Sequence, residues 1–233
     1  MANTYFQFKQ FTVHQERCAM KVGTDGTLLG AWANGGERIL DVGTGTGLIA
    51  LMMAQRFPKA HVTAIDIDHD AATQAALNAE ASPFDSRIDV REDDVRCFAP
   101  PATAFDAIVC NPPYFADSLT SPDSQRTLAR HTVSLTIGAL MAAARRLLTT
   151  QGELSIIVPA DTRSHAEGQA AMEGLALTRL CNVSTTPRRP HRRCLMAFSP
   201  TPTHHPQRID ATIQLDNGQR SPWYDELTSD FYL

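Results

Sequence analysis

The sequence predicts an α/β protein in which one mostly parallel sheet carries helices on both faces. Two observations support this prediction: segments with strand and helix character alternate along the chain, and several strands are continuously apolar. A strand that is apolar on both sides must be covered on both sides, which requires a helical layer on each face of the sheet. The chain has 233 residues, of which 43% are apolar, and this is enough for one core and a single domain.

The first strand and helix of this sheet flank a glycine-rich turn. Residues 38–54 read RILDVGTGTGLIALMMA, an apolar run that contains Asp41, then glycines at positions 43, 45 and 47, then an apolar segment with helical spacing. Glycine permits positive φ and lets backbone N–H groups approach a ligand, while the helix presents the positive end of its dipole to the same point. We therefore expect a cofactor to bind across Gly43, Gly45 and Gly47, next to Asp41.

The spacing of these glycines separates two cofactor classes. A dinucleotide-binding turn has the pattern GxGxxG, whereas this chain has GxGxG, which disfavours a nucleotide-binding oxidoreductase. The GxGxG pattern after an acidic residue resembles motif I of the S-adenosylmethionine (SAM) methyltransferases. A plain glycine-rich turn between a strand and a helix is the alternative interpretation.

The other elements follow in order along the chain. Residues 5–14 predict a strand or short hairpin, and the turn at residues 21–26 precedes a short helix that Thr24 or Asp25 can cap. The predicted strands of the sheet are residues 61–65, 87–91, 105–110, 153–158 and 177–183, and the predicted helices are residues 68–81, 132–148 and 162–173. Residues 199–206 predict a surface linker, and residues 212–232 a small strand and a closing helix. We expect residues 1–37 to be an N-terminal extension, 38–199 the catalytic core and 200–233 a C-terminal addition.

Polar residues at the strand ends predict how a nucleoside cofactor binds, because ligands gather at the carboxyl edge of such sheets. Asp66 ends the second strand, where a carboxylate can accept from a ribose diol. Asp94 follows the third strand and can accept from an adenine amino group while the backbone of Val95 donates to the ring; Asp93 is the alternative. In the turn at residues 21–26, Lys21 can face the carboxylate of the methionine moiety, and Thr24 or Asp25 its ammonium.

The apolar fourth strand ends in the tetrapeptide Asn111-Pro112-Pro113-Tyr114. Tandem prolines fix the backbone in an extended form, so the Pro112 carbonyl has little freedom. If the Asn111 side-chain carbonyl and the Pro112 carbonyl each accept one N–H of an amine on a base, its lone pair is aimed at a methyl donor. Tyr114 can stack on the base, which is worth about 1 to 3 kcal/mol. The tetrapeptide predicts methyl transfer to an amino group; a simple strand terminator is the alternative.

These motifs together resemble a known family. DVGTGTG, NPPY and the upstream KVGTDGTLLGAWA are similar to the bacterial tRNA (adenine-N6)-methyltransferases that modify the purine 3′ of the anticodon, position 37, in a valine tRNA. The similarity extends from FKQF near the start to the closing FYL. It implies a class I SAM-methyltransferase (Rossmann-like) fold with seven strands, the last of them antiparallel. It also implies SAM as cofactor, a cofactor role for Gly43, Gly45, Asp66 and Asp94, and a role for residues 111–114 at the target amine, with Asn111 adjoining the cofactor.

Alternative substrates share the NPPY motif. They are guanine N2 of ribosomal RNA, adenine N6 of DNA, and a glutamine of release factors. Enzymes of the last kind carry an extra N-terminal helical domain, and DNA enzymes need a sizeable recognition insertion, for which the chain has no room. A non-catalytic RNA-binding module on the same fold is a further alternative, but it would have no use for the Asn111 amide.

The basic residues predict where RNA binds. The net charge of −4 argues against indiscriminate nucleic-acid binding, so contact requires a local basic patch. Residues 187–193 read PRRPHRR and predict a tRNA-binding surface or, alternatively, a solvated loop. The residues assigned to the anticodon stem-loop of tRNA are Arg188, Arg189, Arg192 and Arg193, with Arg126 and Arg130 on the near wall of the groove.

Cysteine use and hydropathy predict the compartment. Five widely spaced cysteines without a CxxC pair favour unpaired thiols in a reducing cytoplasm over disulfides or a zinc site, so we expect no metal. No apolar run is long enough for a signal peptide or membrane span. We expect a cytoplasmic protein without an obligate protein partner.

Overall fold

The computed structural model describes residues 4–18, 21–100, 105–112 and 135–233, and their elements follow the predicted alternation. The strands are β1 Tyr5–Gln7, β2 Thr12–His14, β3 Arg38–Val42, β4 His61–Asp66, β5 Ile88–Glu92, β6 Phe105–Cys110, β7 Leu148–Pro159, β8 Ala176–Ser184, β9 His191–Ser199 and β10 Gln207–Thr212. The helices are α1 Thr24–Trp32, α2 Leu48–Arg56, α3 His69–Glu80, α4 Ile137–Leu147, α5 Arg163–Met172 and α6 Pro222–Thr228. Short 3₁₀ turns lie at Asp85–Arg87 and Ala160–Thr162.

The main sheet confirms the predicted mostly parallel arrangement. Its strands lie in the order β10, β8, β9, β7, β6, β3, β4, β5, and every neighbouring pair is parallel except the two that contain β9. We expected more than one of the last strands to run antiparallel. This expectation is wrong, because β9 alone does so. An eighth strand, β10, adds to the expected seven beside β8. The hairpin expected in residues 5–14 is the separate pair β1 and β2.

Each face of the sheet has its own apolar core. Successive residues of β3 point to opposite faces, so Ile39 packs with helices α1 and α2, whereas Leu40 packs with α4 and α5. All four helices bury apolar side chains, and those of β6 and β7 divide in the same way as those of β3. This two-sided coverage is the reason why the central strands are continuously apolar.

The connection between β1 and β2 packs against the residues that follow α6. Phe8, which is 1% exposed, stacks on Tyr232 with ring centroids 5.9 Å apart, and Lys9 donates from its backbone N–H to the Phe231 carbonyl. The closing helix α6 is confirmed, but the position of the small strand predicted within residues 212–232 is wrong, because β10 spans Gln207–Thr212. In the ranges that the structure describes, no helix has both the length and the apolar character needed to cross a membrane.

Several predicted boundaries differ from those observed. Helix α4 begins at Ile137, because Thr136 is its N-cap and accepts from the Ala139 N–H, so this helix begins five positions later than predicted. The N-cap of α1 is Gly23, which makes no side-chain cap bond, so the expected capping by Thr24 or Asp25 is wrong. The sequence does not predict strand β9, whose first residues lie within the basic segment 187–193.

Candidate active site

The turn between β3 and α2 has the conformation that its glycines allow. Gly43, Gly45 and Gly47 have φ of 66°, 56° and 80°. A Cβ added to Gly43 or Gly45 would meet no protein atom within 4 Å, so their backbone faces open space that a ligand can fill. A Cβ on Gly47 would instead lie 3.3 Å from the Ala75 Cα, because α2 and α3 pack closely there. The backbone of the first two glycines is thus open to a ligand, whereas the third glycine lies against α3.

The buried side chain of Asp41 stabilises this turn. Its side chain is 0% exposed, and one carboxylate oxygen accepts from the Thr44 hydroxyl at 2.6 Å and from the Ala50 N–H at 3.0 Å. Burial raises the pKa of Asp41 from its ordinary 3.8 to about 7, against the opposing effect of these two hydrogen bonds. Asp41 therefore ties the turn to the first turn of α2.

Asp66, at the end of β4, holds the turn from the opposite side. One carboxylate oxygen accepts from the Gly45 N–H at 2.9 Å and the other from the Asp68 N–H at 3.0 Å. Burial is the largest cause of its raised pKa. Asp68 itself is the N-cap of α3 and accepts from the Ala71 N–H. These contacts place the Asp66 carboxylate next to the glycine backbone, where a ribose is expected.

Asp93 and Asp94 differ in what they bind after β5. The Asp94 carboxylate accepts hydrogen bonds from both Nε and Nη2 of Arg96, and these bonds lower the pKa of Asp94. The Asp93 carboxylate accepts from the backbone N–H of Asp94 at 2.8 Å. The Val95 carbonyl accepts from Arg146 of α4, so the loop is anchored to the helical layer. Both acids border the same cavity.

The upstream turn brings α1 to this cavity. Thr24 begins the helix, and its neighbour Asp25 in the first turn forms an ion pair with Arg193 of β9, with Nη1 2.8 Å from Oδ1. The two side chains are 27% and 24% exposed. The pair joins an element that precedes the sheet in sequence to one that comes near its end.

Asn111 and Pro112 are the two residues of the NPPY tetrapeptide that the structure describes. Asn111 follows directly after β6 and borders the cavity, and Pro112 is buried. Cys110 before them is 1% exposed, and burial raises its pKa well above the ordinary value. Tyr114, Arg126 and Arg130 lie outside the described residues.

These side chains enclose a cavity of about 610 Å3 at the carboxyl edge of the sheet. The predicted site residues that line it are Lys21, Thr24, Gly43, Gly45, Asp66, Asp94, Val95, Asn111 and Arg193. Asp41 and Gly47 lie behind the wall instead, and Pro112 is not part of it. The volume lies within the usual range for small-molecule sites.

Some residues that line the cavity are not predicted from the sequence. Arg17 and Cys18 come from the segment before Lys21, and Ile67 follows Asp66 directly. Ile67 could have been found, since it immediately follows a predicted strand-end acid, whereas no local pattern marks Arg17 or Cys18. Among the described residues, no cluster of His, Cys, Asp and Glu side chains could hold a metal ion.

The basic segment 187–193 is partly turn and partly strand. Arg188 is 85% exposed and lies 3.2 Å from Asp216, and the Arg189 N–H donates to the Thr186 carbonyl. Arg192 and Arg193 belong to β9. Arg193 pairs with Pro159 at the end of β7, so the segment lies at the same edge of the sheet as the cavity.

Comparisons with known proteins agree with this geometry. The model of the methyltransferase small domain family matches residues 24–176. A tRNA1(Val) (adenine(37)-N6)-methyltransferase from Parabacteroides distasonis is 46% identical, covering 100% of this chain and 99% of that protein. One of the same name from Phocaeicola vulgatus is 48% identical with the same coverage. The crystal structure of a predicted O-methyltransferase from Agrobacterium tumefaciens shares the fold, with a TM-score of 0.67 at 21% identity over 89% of this chain and 96% of that one.

Proposed function

The chain belongs to the family of the tRNA1(Val) (adenine(37)-N6)-methyltransferases, and we propose that it transfers a methyl group from SAM to the N6 amino group of adenine 37 in tRNA1(Val). The observation that carries the proposal is the position of Asn111 on the wall of the cavity that the glycine turn also lines. One site can therefore hold the methyl donor and the receiving amine side by side.

The residues of the cavity fit SAM. The backbone at Gly43 and Gly45 faces space that a side chain would fill, which suits close approach of a ligand. We propose that Asp66 accepts from the ribose hydroxyls, Asp94 or Asp93 from the adenine amino group, and that the Val95 N–H donates to the ring. Lys21 faces the methionine carboxylate, with Thr24 or Asp25 at the ammonium.

The chemistry at the target amine is assigned to the NPPY segment. Bound SAM supplies an electrophilic methyl group on its sulfonium. The Asn111 side-chain carbonyl and the Pro112 backbone carbonyl each accept one N–H of the target amine and draw the nitrogen towards tetrahedral geometry. The same two oxygens stabilise the positive charge that develops on the nitrogen. Tyr114 stacks on the base.

The tRNA surface is proposed on the basic segment. Arg192 lies on β9 and Arg188 and Arg189 in the turn before it, and β7 separates β9 from β6, so the segment begins two strand spacings, roughly 10 Å across the sheet, from the strand that Asn111 follows. This distance suits phosphates flanking an extruded anticodon-loop base. Arg126 and Arg130 are proposed for the near wall. We propose a cytoplasmic location, with which five unpaired cysteines agree.

The proposal is tested by incubating tRNA with the protein and labelled SAM and identifying the labelled nucleoside by mass spectrometry. We expect N6-methyladenosine at position 37 of tRNA1(Val). Labelled N2-methylguanosine in RNA, or methylglutamine in a release factor, would instead support one of the alternative substrates.

Asn111→Ala tests the assigned chemistry within the same assay. We expect transfer to be abolished while the affinity for the product, S-adenosylhomocysteine, stays within a few fold, because the amide acts on the amine. Asn217→Ala is the control, since Asn217 is exposed in the turn before α6 and bonds to Gln219 of that turn. Loss of product binding in Asn111→Ala would show that Asn111 is mainly structural.

A further inference from the structure

Arg193 is the point at which the basic segment meets the cavity. Its side chain is 24% exposed and lines the cavity wall, whereas that of Arg188 is 85% exposed. Its Nη1 lies 2.8 Å from Oδ1 of Asp25, which lines the same wall. The sequence groups Arg193 with three other arginines. In the fold, however, it pairs with Asp25, which lines the cavity proposed to bind the methyl donor (the donor site).

Both partners of this ion pair are held by rigid elements. Asp25 lies in the first turn of α1, a helix whose residues from Gly26 to Ala31 are buried. Arg193 is paired in register with Pro159 of β7 and Val183 of β8. A pair that is about three-quarters buried is less screened by salt and solvent than a surface pair, so it can fix a side-chain position.

We propose that Arg193 is a positioning residue of the donor site: its guanidinium holds the Asp25 carboxylate at the cavity wall, where that carboxylate receives the ammonium of the methionine moiety. The inference rests on the proposed function, because it takes SAM as the ligand of this cavity. The methionine moiety carries a cation and an anion, and the pair offers it an anion and a cation, so the positive charge of Arg193 causes no net repulsion.

Binding of S-adenosylhomocysteine, measured by calorimetry, tests this role without turnover. We expect Arg193→Gln to weaken binding about tenfold, as is typical of coupled charged pairs, and Arg193→Lys to restore most of the loss. In an Asp25→Asn background the Arg193→Gln substitution should cost little more, because Arg193 acts through Asp25. Arg192→Gln, from the same basic segment, should weaken tRNA binding instead.

Three results would overturn the inference. Equal losses from Arg193→Gln in the wild-type and Asp25→Asn backgrounds would mean that Arg193 acts independently of Asp25. Unchanged product binding with weaker, less salt-dependent tRNA binding would make Arg193 an RNA contact. If the wild-type protein does not bind S-adenosylhomocysteine at all, the proposed function fails as well, so the two failures are distinguishable. Thermal unfolding of each variant identifies losses that come from misfolding, and Arg193→Met, which removes the charge but keeps a long side chain, replaces Arg193→Gln if that variant does not fold.

Discussion

The glycine turn at residues 41–47 and the basic segment at residues 187–193 are both assigned to binding, but they are built differently. Around the turn, the Asp41 carboxylate accepts two hydrogen bonds and the Asp66 carboxylate two more, three of the four from backbone N–H groups. In the basic segment, Arg188 is largely exposed and forms an ion pair at 3.2 Å with Asp216, which is itself half-exposed. The turn is held by buried contacts, and the segment presents charge to solvent.

This difference indicates that the turn binds its ligand through a fixed backbone shape, whereas the segment binds through its charge. Buried hydrogen bonds in the turn fix backbone groups in place and are little affected by salt. An exposed arginine contributes little to stability, and its attraction for phosphate weakens as ionic strength rises. Substitutions in the turn should therefore change donor binding or folding at any salt concentration, and substitutions of the exposed arginines of the segment, Arg188 and Arg189, should change RNA binding alone.

The largest effects are expected at the glycines, where two similar substitutions should fail in different ways. Gly47→Ala combines φ of 80° with a Cβ 3.3 Å from the Ala75 Cα, so we expect a loss of at least about 2 kcal/mol in the free energy of unfolding. Gly45→Ala has φ of 56° but meets no protein atom, so we expect a loss of only about 1 to 2 kcal/mol. Its methyl group takes space in the cavity, however, and should weaken binding of S-adenosylhomocysteine more than tenfold.

Urea unfolding and calorimetry on both variants measure these two losses separately. Gly168→Ala is a matched control, because that glycine lies in α5, where an added Cβ meets nothing within 4 Å. Equal stability losses in Gly45→Ala and Gly47→Ala would contradict the division between a ligand-facing and a packing glycine.

A second effect on stability, dependent on pH, is expected at Asp41. Its pKa is about 7 in the folded protein and 3.8 in an exposed carboxyl group, so the folded state binds the proton more tightly. This contribution to stability is complete below about pH 4 and is lost as pH rises through 7, at up to about 1.4 kcal/mol per pH unit. Asp41→Asn stays neutral and can still accept from Thr44 and Ala50. We expect it to gain stability relative to wild type between pH 5 and pH 8.

Thermal unfolding across that pH range tests the sign of the effect. Glu226→Gln, which removes an exposed carboxyl of α6, is the control, because an exposed carboxyl contributes little to stability. A variant at Asp41 that loses stability relative to wild type as pH rises would mean that the carboxylate is stabilised by its charge in the folded state.

Local patterns were sufficient for the parts of the fold that short-range forces determine. The predicted strand at residues 105–110 coincides with β6, and the predicted helix at 68–81 contains α3 with one cap residue at each end. The turn with its three positive φ angles also follows from the order of its residues. In the helix and the turn, the residues that set the conformation are sequence neighbours; β6 lies between β3 and β7, and its continuous apolar run is sufficient to mark it as a buried strand.

The remainder depends on contacts between distant parts of the chain. Residues 191–193 carry three basic side chains and suggest a loop, yet they begin β9 because β7 and β8 pair with it on both sides. The ion pair between Asp25 and Arg193 joins residues far apart in sequence, so neither residue predicts the other. The sequence assigns Asp41 to the cofactor because it adjoins the glycines, but a side chain in a strand faces one side of the sheet, and that of Asp41 faces α2.

The smallest effect on the protein itself is expected in the basic segment. Arg188→Glu and Arg189→Glu should leave the unfolding temperature and the affinity for S-adenosylhomocysteine unchanged, because Arg188 is exposed and neither side chain lines the cavity. Each should weaken tRNA binding at low salt and reduce the slope of log affinity against log salt by about 1. Lys59→Glu is the matched control, since this exposed lysine precedes β4 at the opposite edge of the sheet. Equal losses in all three variants would indicate that net charge, and not this surface, governs RNA binding, and the contrast between turn and segment would then be lost.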